Sequence, residues 1–262
     1  MGKIKLARRV YEYPELKHQD YFKKVIRNVL KEELGDKLDY SIEAIDFNEN
    51  QRIVIDLTGA DEEFIKSSLY EHYGRVKTLD DLRIGQEYVG TLKLVNKVRF
   101  GCFVDIGIEE ADGAEIDVLL RKDTLREQLC AGERWKMDQL AYRYGNLIDH
   151  LPVHIELTEM DIDNRKLEGR LSLREIDRIG EWIMQGYDLL FATGAARTRL
   201  KRELTKKGLY PNLIRIDRLG FEEVVVLFEK GTSAPGIVPM IGHELPNMRF
   251  SILIPEKLQK YW

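Results

Sequence analysis

The sequence predicts a three-part α+β chain: a ferredoxin-like α+β domain over 1–80, a small closed β-barrel over 81–175, and a helical, then β-rich α+β domain over 176–262. Three observations predict it. The chain opens with hydrophobic periodicities in the order β-α-β-β-α. Several short strands with one helix-like insertion follow, the pattern of a small Greek-key barrel. The last part begins at helical spacing and ends in strands.

In the first part, Ile4, Leu6 and Val10 stand among basic residues, a half-buried strand over 3–10. Leu16, Phe22, Val25, Ile26, Val29, Leu30 and Leu34 fall near helical spacing over 15–34, and Gly35 is a good stop. Residues 42–47 and 52–57 form a hairpin across Asn48, Glu49 and Asn50. A second helix starts at 58–61, with Glu62 and Glu63 where the macrodipole favours acids, and ends near Gly74. A last strand is expected near Val76. In the middle part, strands are expected at 88–95, 100–107 and 118–120, a helix-like stretch over 124–144, and a hairpin of 153–160 with 166–173. The last part opens with Ile176, Ile179, Ile183, Leu189 and Leu190 near helical spacing, then a helix over 196–207 stopped by Gly208. Three strands follow, near 213–216, 223–228 and 249–254, the last two separated by a Gly/Pro-rich stretch at 231–239.

The middle segment resembles the S1 domain, an OB-fold family that binds single-stranded RNA. Ile84-Gly-Gln-Glu-Tyr-Val-Gly-Thr-Leu92 is similar to the family's opening strand, and Phe100-Gly-Cys-Phe-Val-Asp-Ile-Gly107 to its second. Val118-Leu-Leu-Arg-Lys-Asp-Thr-Leu125 resembles the third, and Met160-Asp161 with Arg170-Leu-Ser172 the close. The resemblance implies an RNA face carrying Phe100, Phe103, Arg121, Asp161 and Arg165, with Arg121 where the family often has His. The closing loop is longer than usual, so either Arg165 or Arg170 fills the arginine position. With its flanks, including Thr232-Ser-Ala-Pro-Gly-Ile-Val-Pro-Met-Ile-Gly242, the whole chain resembles a family of archaeal S1-containing proteins with no assigned function.

The same surface has a chemistry of its own. On a regular strand Phe100 and Phe103 point to opposite faces, but a bulge at Gly101 would bring both rings to one. Exposed rings stack bases, each worth about 1–3 kcal/mol. Arg121 and Arg165 would contact phosphate or stack, and Asp161 would orient the arginine or accept from a base. Lys97, Arg99 and Lys122 lie close by in sequence. The alternative is that both rings fill the barrel. Trp135, Leu140 and Tyr144 are expected to cap its base rather than extend an RNA surface through Tyr142.

Forty-one Lys and Arg against 45 Asp and Glu give a formal net charge of −4, which alone argues against a basic nucleic-acid binder. The charges are segregated, however. Residues 197–218 carry Arg197, Arg199, Lys201, Arg202, Lys206, Lys207, Arg215 and Arg218 against Glu203 and Asp217, a net +6. With Leu200 and Leu204 docked, this is a candidate phosphate track. The first 34 residues carry a net +4. Residues 105–117 hold Asp105, Glu109, Glu110, Asp112, Glu115 and Asp117 with no cation, and read as a solvated loop.

Catalytic patterns are absent from the sequence. His150 and His154 would lie ~13 Å apart on a strand, too far to share a metal. Residues 161–164 lack the glycine and glutamate of a calcium loop, and 231–236 lack the Lys-Ser/Thr of a P-loop, reading instead as a strand-to-helix connector. Cys102 and Cys130 read as buried hydrophobes. No leader pattern and no apolar run of roughly 20 residues stands out, so a cytoplasmic protein without membrane contact is expected. The expectation is a non-catalytic RNA-binding protein without cofactor, serving transcription, translation or RNA processing. The alternative is an interaction subunit of a ribosome, RNA polymerase or RNA-processing complex, with the barrel or its acidic loop as the contact.

Overall fold

The computed structural model describes residues 2–10, 16–35, 37–194 and 196–262. Of residues 2, 16–19 and 22 it describes the backbone alone, so the expected inward side chains of Leu16 and Phe22 lie outside the described residues, as does residue 15.

Alternation builds the first sheet. In β3 (Arg52–Thr58) Ile53, Ile55 and Leu57 are buried on one face, joined by Ile4 and Leu6 of β1 (Gly2–Arg9) and Ile45 of β2 (Ser41–Phe47). The order is β1-β3-β2, all antiparallel neighbours. Helices α1 (Leu16–Leu34) and α2 (Glu62–Tyr73) cover this face through Val25, Ile26, Val29, Leu30, Ile65 and Leu69. Near Val76 there is no full strand, only bridges that join two sheets. The Val76 N–H donates to the Lys5 carbonyl, and the Lys77 N–H to the Gly107 carbonyl at 2.9 Å. The first sheet is thereby held edge-on to the barrel. Gly107 allows that closeness: its φ is +87°, and a Cβ there would meet the Ala7 Cβ at 2.5 Å.

Five strands close the barrel: β4 (Glu87–Lys93), β5 (Gly101–Glu109), β6 (Glu115–Arg121), β7 (Pro152–Asp161) and β8 (Lys166–Leu171). Their order round the barrel is β4-β5-β6-β8-β7, with β6 and β8 the parallel pair. Cys102, Val104, Val118, Leu120, Ile155 and Leu167 fill it. The single helical stretch expected here is two helices, α3 (Lys122–Cys130) and α4 (Met137–Arg143), because Ala131 turns left-handed at the end of α3. Trp135, Leu140 and Tyr144 join this core, while Tyr142 between them is 78% exposed.

Helix α5 (Leu173–Gln185) lays Ile179, Trp182 and Ile183 on the same core. The last sheet has four strands rather than three, in the order β10-β11-β9-β12. The extra one is β9 (Leu189–Thr193), whose Leu189 and Leu190 sequence spacing had put in a helix. It and β11 (Glu223–Phe228) are buried along their whole length, so neither shows period-2 alternation. Leu189, Phe191, Val225 and Leu227 face the barrel core. Leu190, Val224, Val226 and Phe228 face α6 (Arg197–Lys206) and α7 (Ala234–Gly242). Helix α7 occupies most of the Gly/Pro-rich stretch, with Gly231 in the connector from β11. The outer strands are β10 (Leu213–Arg218) and β12 (Arg249–Leu253). No helix of the described residues is long and apolar enough to cross a membrane.

Candidate nucleic-acid interface

Phe100 stands one residue before β5, at the end of a loop in which Leu94 and Asn96 take left-handed backbone. The loop, not a bulge at Gly101, aims its ring. Pairing is regular from Gly101↔Arg121 to Val104↔Val118, and the irregularity in β5 falls between Val104 and Ile108. Gly101 instead lets β5 approach β6 closely, since a Cβ there would meet the Leu120 carbonyl oxygen at 2.1 Å. Phe100 is 55% exposed and Phe103 half-buried, so neither ring is barrel filling. Their centroids lie 6.2 Å apart at 88°, an edge-to-face pair on the outer face.

The Phe100 backbone, preceded by Arg99 and accepting from the Lys122 N–H at 2.8 Å, adjoins a groove of about 560 Å³ lined by Asn96, Arg99, Lys122, Lys136, Met137 and Asp138. None of Arg99, Lys122 and Lys136 makes an ion pair among the described residues. A shallower hollow shares Asn96 and carries the surface across Tyr142 to Phe250 on β12. There Lys97 and Arg249 both reach Asp149 at 3.3 Å. In the sequence Lys136 stands in the aromatic and basic stretch expected to cap the barrel rather than to extend an RNA surface, and Phe250 sits in no motif, since β12 is far along the chain. Arg121 lies on the Phe100 side, opposite Gly101, but its guanidinium is held by both carboxylate oxygens of Glu168.

Asp161 and Arg165 do not join this cluster. Asp161 caps its own turn, accepting from the Asn164 backbone N–H at 3.1 Å and side chain at 2.8 Å. Arg165 reaches Asp112 at 2.7 Å, and Arg170 reaches Glu156 at 2.9 Å. The β7–β8 turn therefore meets the β5–β6 loop, at the opposite end of β5 from Phe100. The eight residue steps from Gly101 to Glu109 make that separation roughly 25 Å.

The acidic stretch is not a solvated loop. Asp105, buried, is reached by Arg52 at 3.0 Å and Arg9 at 2.7 Å. Glu109 pairs with Arg52 at 2.6 Å, Glu115 with Arg9 at 2.7 Å and Asp117 with Lys93 at 2.6 Å. Burial by itself would raise the Asp105 pKa; Arg52 and Arg9 outweigh it and hold the carboxyl below the ordinary range. The cations of the first sheet thus neutralise the acids of the barrel. Arg8 ties in the third part, bonding Thr91 of β4 and pairing with Glu223 of β11 at 2.5 Å.

The basic track also divides. Leu200 and Leu204 dock as expected, but α6 lies on the face of the last sheet turned away from the barrel. Arg202 and Lys206 share Glu203, and Lys201 sits 5.4 Å from the Tyr210 ring centroid. Arg215 pairs with Asp217 and Arg218 with Glu32. Arg197 and Arg199 face α1 instead. Among the described residues no group of three His, Cys, Asp or Glu is placed to hold a metal.

These features define a mixed α+β protein built round a closed five-stranded barrel, a layout compatible with an OB-like fold. The chain matches the DUF2110 central domain over residues 82–183 and the DUF2110 C-terminal domain over 187–253. It belongs to the DUF2110 family. No curated protein matches it. Among solved structures, the uncharacterized protein MJ1198 from Methanocaldococcus jannaschii is similar at 13% identity, covering 36% of this chain and 96% of that one, with a TM-score of 0.24.

Proposed function

We propose that this chain is a non-catalytic RNA-binding protein whose barrel, read as S1-like, holds a few unpaired nucleotides in transcription, translation or RNA processing. The observation that carries the reading is the exposed Phe100–Phe103 pair beside Arg99, Lys122 and Lys136. Two perpendicular rings would offer two base platforms, and the neighbouring cations would meet the linking phosphates. Arg121 contributes only if it leaves Glu168. Asp161 and Arg165 have no part in it. The ferredoxin-like reading of the first part belongs to the same proposal, as a scaffold that covers the barrel's acids. That covering also favours RNA over a protein contact through the acidic loop, since those carboxylates already have intramolecular partners.

Fluorescence anisotropy with a short single-stranded RNA tests this. Phe100→Ala removes one platform and should weaken binding by about 1–3 kcal/mol, roughly fivefold to over a hundredfold. Unchanged affinity in a folded Phe100→Ala/Phe103→Ala variant would overturn the reading.

A further inference from the structure

A second basic hollow lies away from the barrel face, between α1 and the start of α6. It measures about 880 Å³, within the range of small-molecule sites. Lys24, Lys31, Arg197, Arg199, Arg202 and Arg218 line it, and among the described lining residues the one carboxylate is Glu32. Glu32 is engaged by Arg218 at 2.5 Å and Arg202 by Glu203 at 3.0 Å. Arg197, Arg199 and Lys24 make no ion pair among the described residues. So dense a set of like charges on two facing helices and the end of β10 is unfavourable unless an anion offsets it. The first turn of α6 adds to the strain, with Arg197 and Arg199 but no acid where the macrodipole favours acids.

The hollow is not only charged. Val25, Val29 and Ala196 give it an apolar floor, and the Tyr21 ring, 39% exposed, forms part of a wall. Burial first, and then Glu222, push the Tyr21 phenol above its ordinary pKa, so the ring is neutral at physiological pH. Asn28 and Thr198 supply uncharged hydrogen-bonding groups. Clustered cations for phosphoryl oxygens, a flat neutral ring and polar amide and hydroxyl groups are what a nucleotide presents partners for.

We propose that this hollow binds the phosphate groups of a nucleotide, either free or at the end of a strand. The site is separate from the barrel face and does not depend on it. Isothermal calorimetry on the full chain at low salt tests the proposal with four probes: pyrophosphate, a nucleoside diphosphate, and one short RNA with a 5′-phosphate or a 5′-hydroxyl. The nucleoside diphosphate should bind, and Arg197→Gln/Arg199→Gln should weaken it at least ~tenfold, as loss of charge-assisted contacts requires. Lys24→Gln, on the facing helix, should weaken it in the same direction, with thermal unfolding showing all variants folded. Phe100→Ala should leave nucleoside diphosphate binding unchanged, which separates this site from the barrel reading. Preference for the 5′-phosphorylated RNA would identify a strand end as the source, and equal binding of the two RNAs with retained diphosphate binding a free nucleotide. No binding of pyrophosphate or diphosphate, or equal binding by the double variant, would overturn the proposal.

Discussion

Replacing Glu168 by Gln should strengthen RNA binding, an outcome harder to obtain by accident than a loss. Glu168 accepts from Arg121 through both carboxylate oxygens, and the Arg121 side chain is 59% exposed while that of Glu168 is 18% exposed. A pair this open to water adds little to the fold, so the variant should unfold close to wild type. Its effect on binding is larger. Glutamine keeps the shape but not the charge, leaving Arg121 free to meet phosphate on the strand neighbouring Phe103. One added phosphate contact steepens the salt dependence of log affinity by ~0.7 for a single strand. The gain over wild type should therefore shrink about fivefold for each tenfold rise in salt. Anisotropy titrations of one short RNA across a salt series read this directly. Arg121→Gln in the Glu168→Gln background should restore the wild-type slope. An unchanged slope in Glu168→Gln would show that Arg121 does not face RNA and serves only to clamp β6 to β8.

Other parts of the structure make equally specific predictions. Asp105→Ala strips the fully buried Arg52 of a principal partner and should cost about 3–5 kcal/mol in urea unfolding; a loss under ~1 kcal/mol would refute the buried network. Because the folded-state pKa of Asp105 is depressed, its stabilisation is complete above the unfolded value and is lost as pH falls through the folded one. Asp105→Ala should flatten that acid limb. Burial first, then Arg75 and Arg52, lower the pKa of Lys77 to about 8, so the unfolded chain holds this proton more tightly. Wild-type stability should gain a contribution between about pH 8 and 10.5 that Lys77→Met lacks, seen in the difference between their pH-dependent melting curves. Gly101→Ala forces a Cβ against the Leu120 carbonyl and should cost roughly 1–3 kcal/mol in denaturant unfolding while weakening RNA binding through the displaced Phe100. Wild-type RNA affinity in that variant would separate the ring's position from its backbone.

Period-2 alternation made β3 readable because Val54, Asp56 and Thr58 stay half-exposed opposite the buried Ile53, Ile55 and Leu57. The same signal vanishes in β9, where Leu189 to Thr193 are buried throughout. Helix α7 hid behind Pro235 and Pro239, residues that read as breakers although Pro235 sits in the first turn, where proline is tolerated. Of the candidate site, the two rings and Arg99, Lys122 and Arg121 were legible from a compact run of sequence. Asp161 and Arg165 were misplaced because spacing along a hairpin does not say which end of the barrel its turn meets. Arg52 reads as an outward residue of an alternating strand; its partner Asp105 lies 53 positions on, so no local pattern could reveal a buried pair. The net charge of −4 likewise says little about any one surface, since it averages acids tied up in ion pairs with the arginines of the first sheet and cations such as Arg99 and Lys122 that stand apart from them.

The interlock of Arg8, Arg9 and Arg52 with the barrel bears on how the chain can be dissected. A fragment cut to the matched central segment, 82–183, would leave all three arginines behind. Asp105, Glu109 and Glu115 would then face solvent without their guanidinium partners, and the isolated barrel would carry a negative field of its own. Such a fragment would repel the single strands proposed as the ligand, so a negative binding result from it would describe the cut rather than the protein.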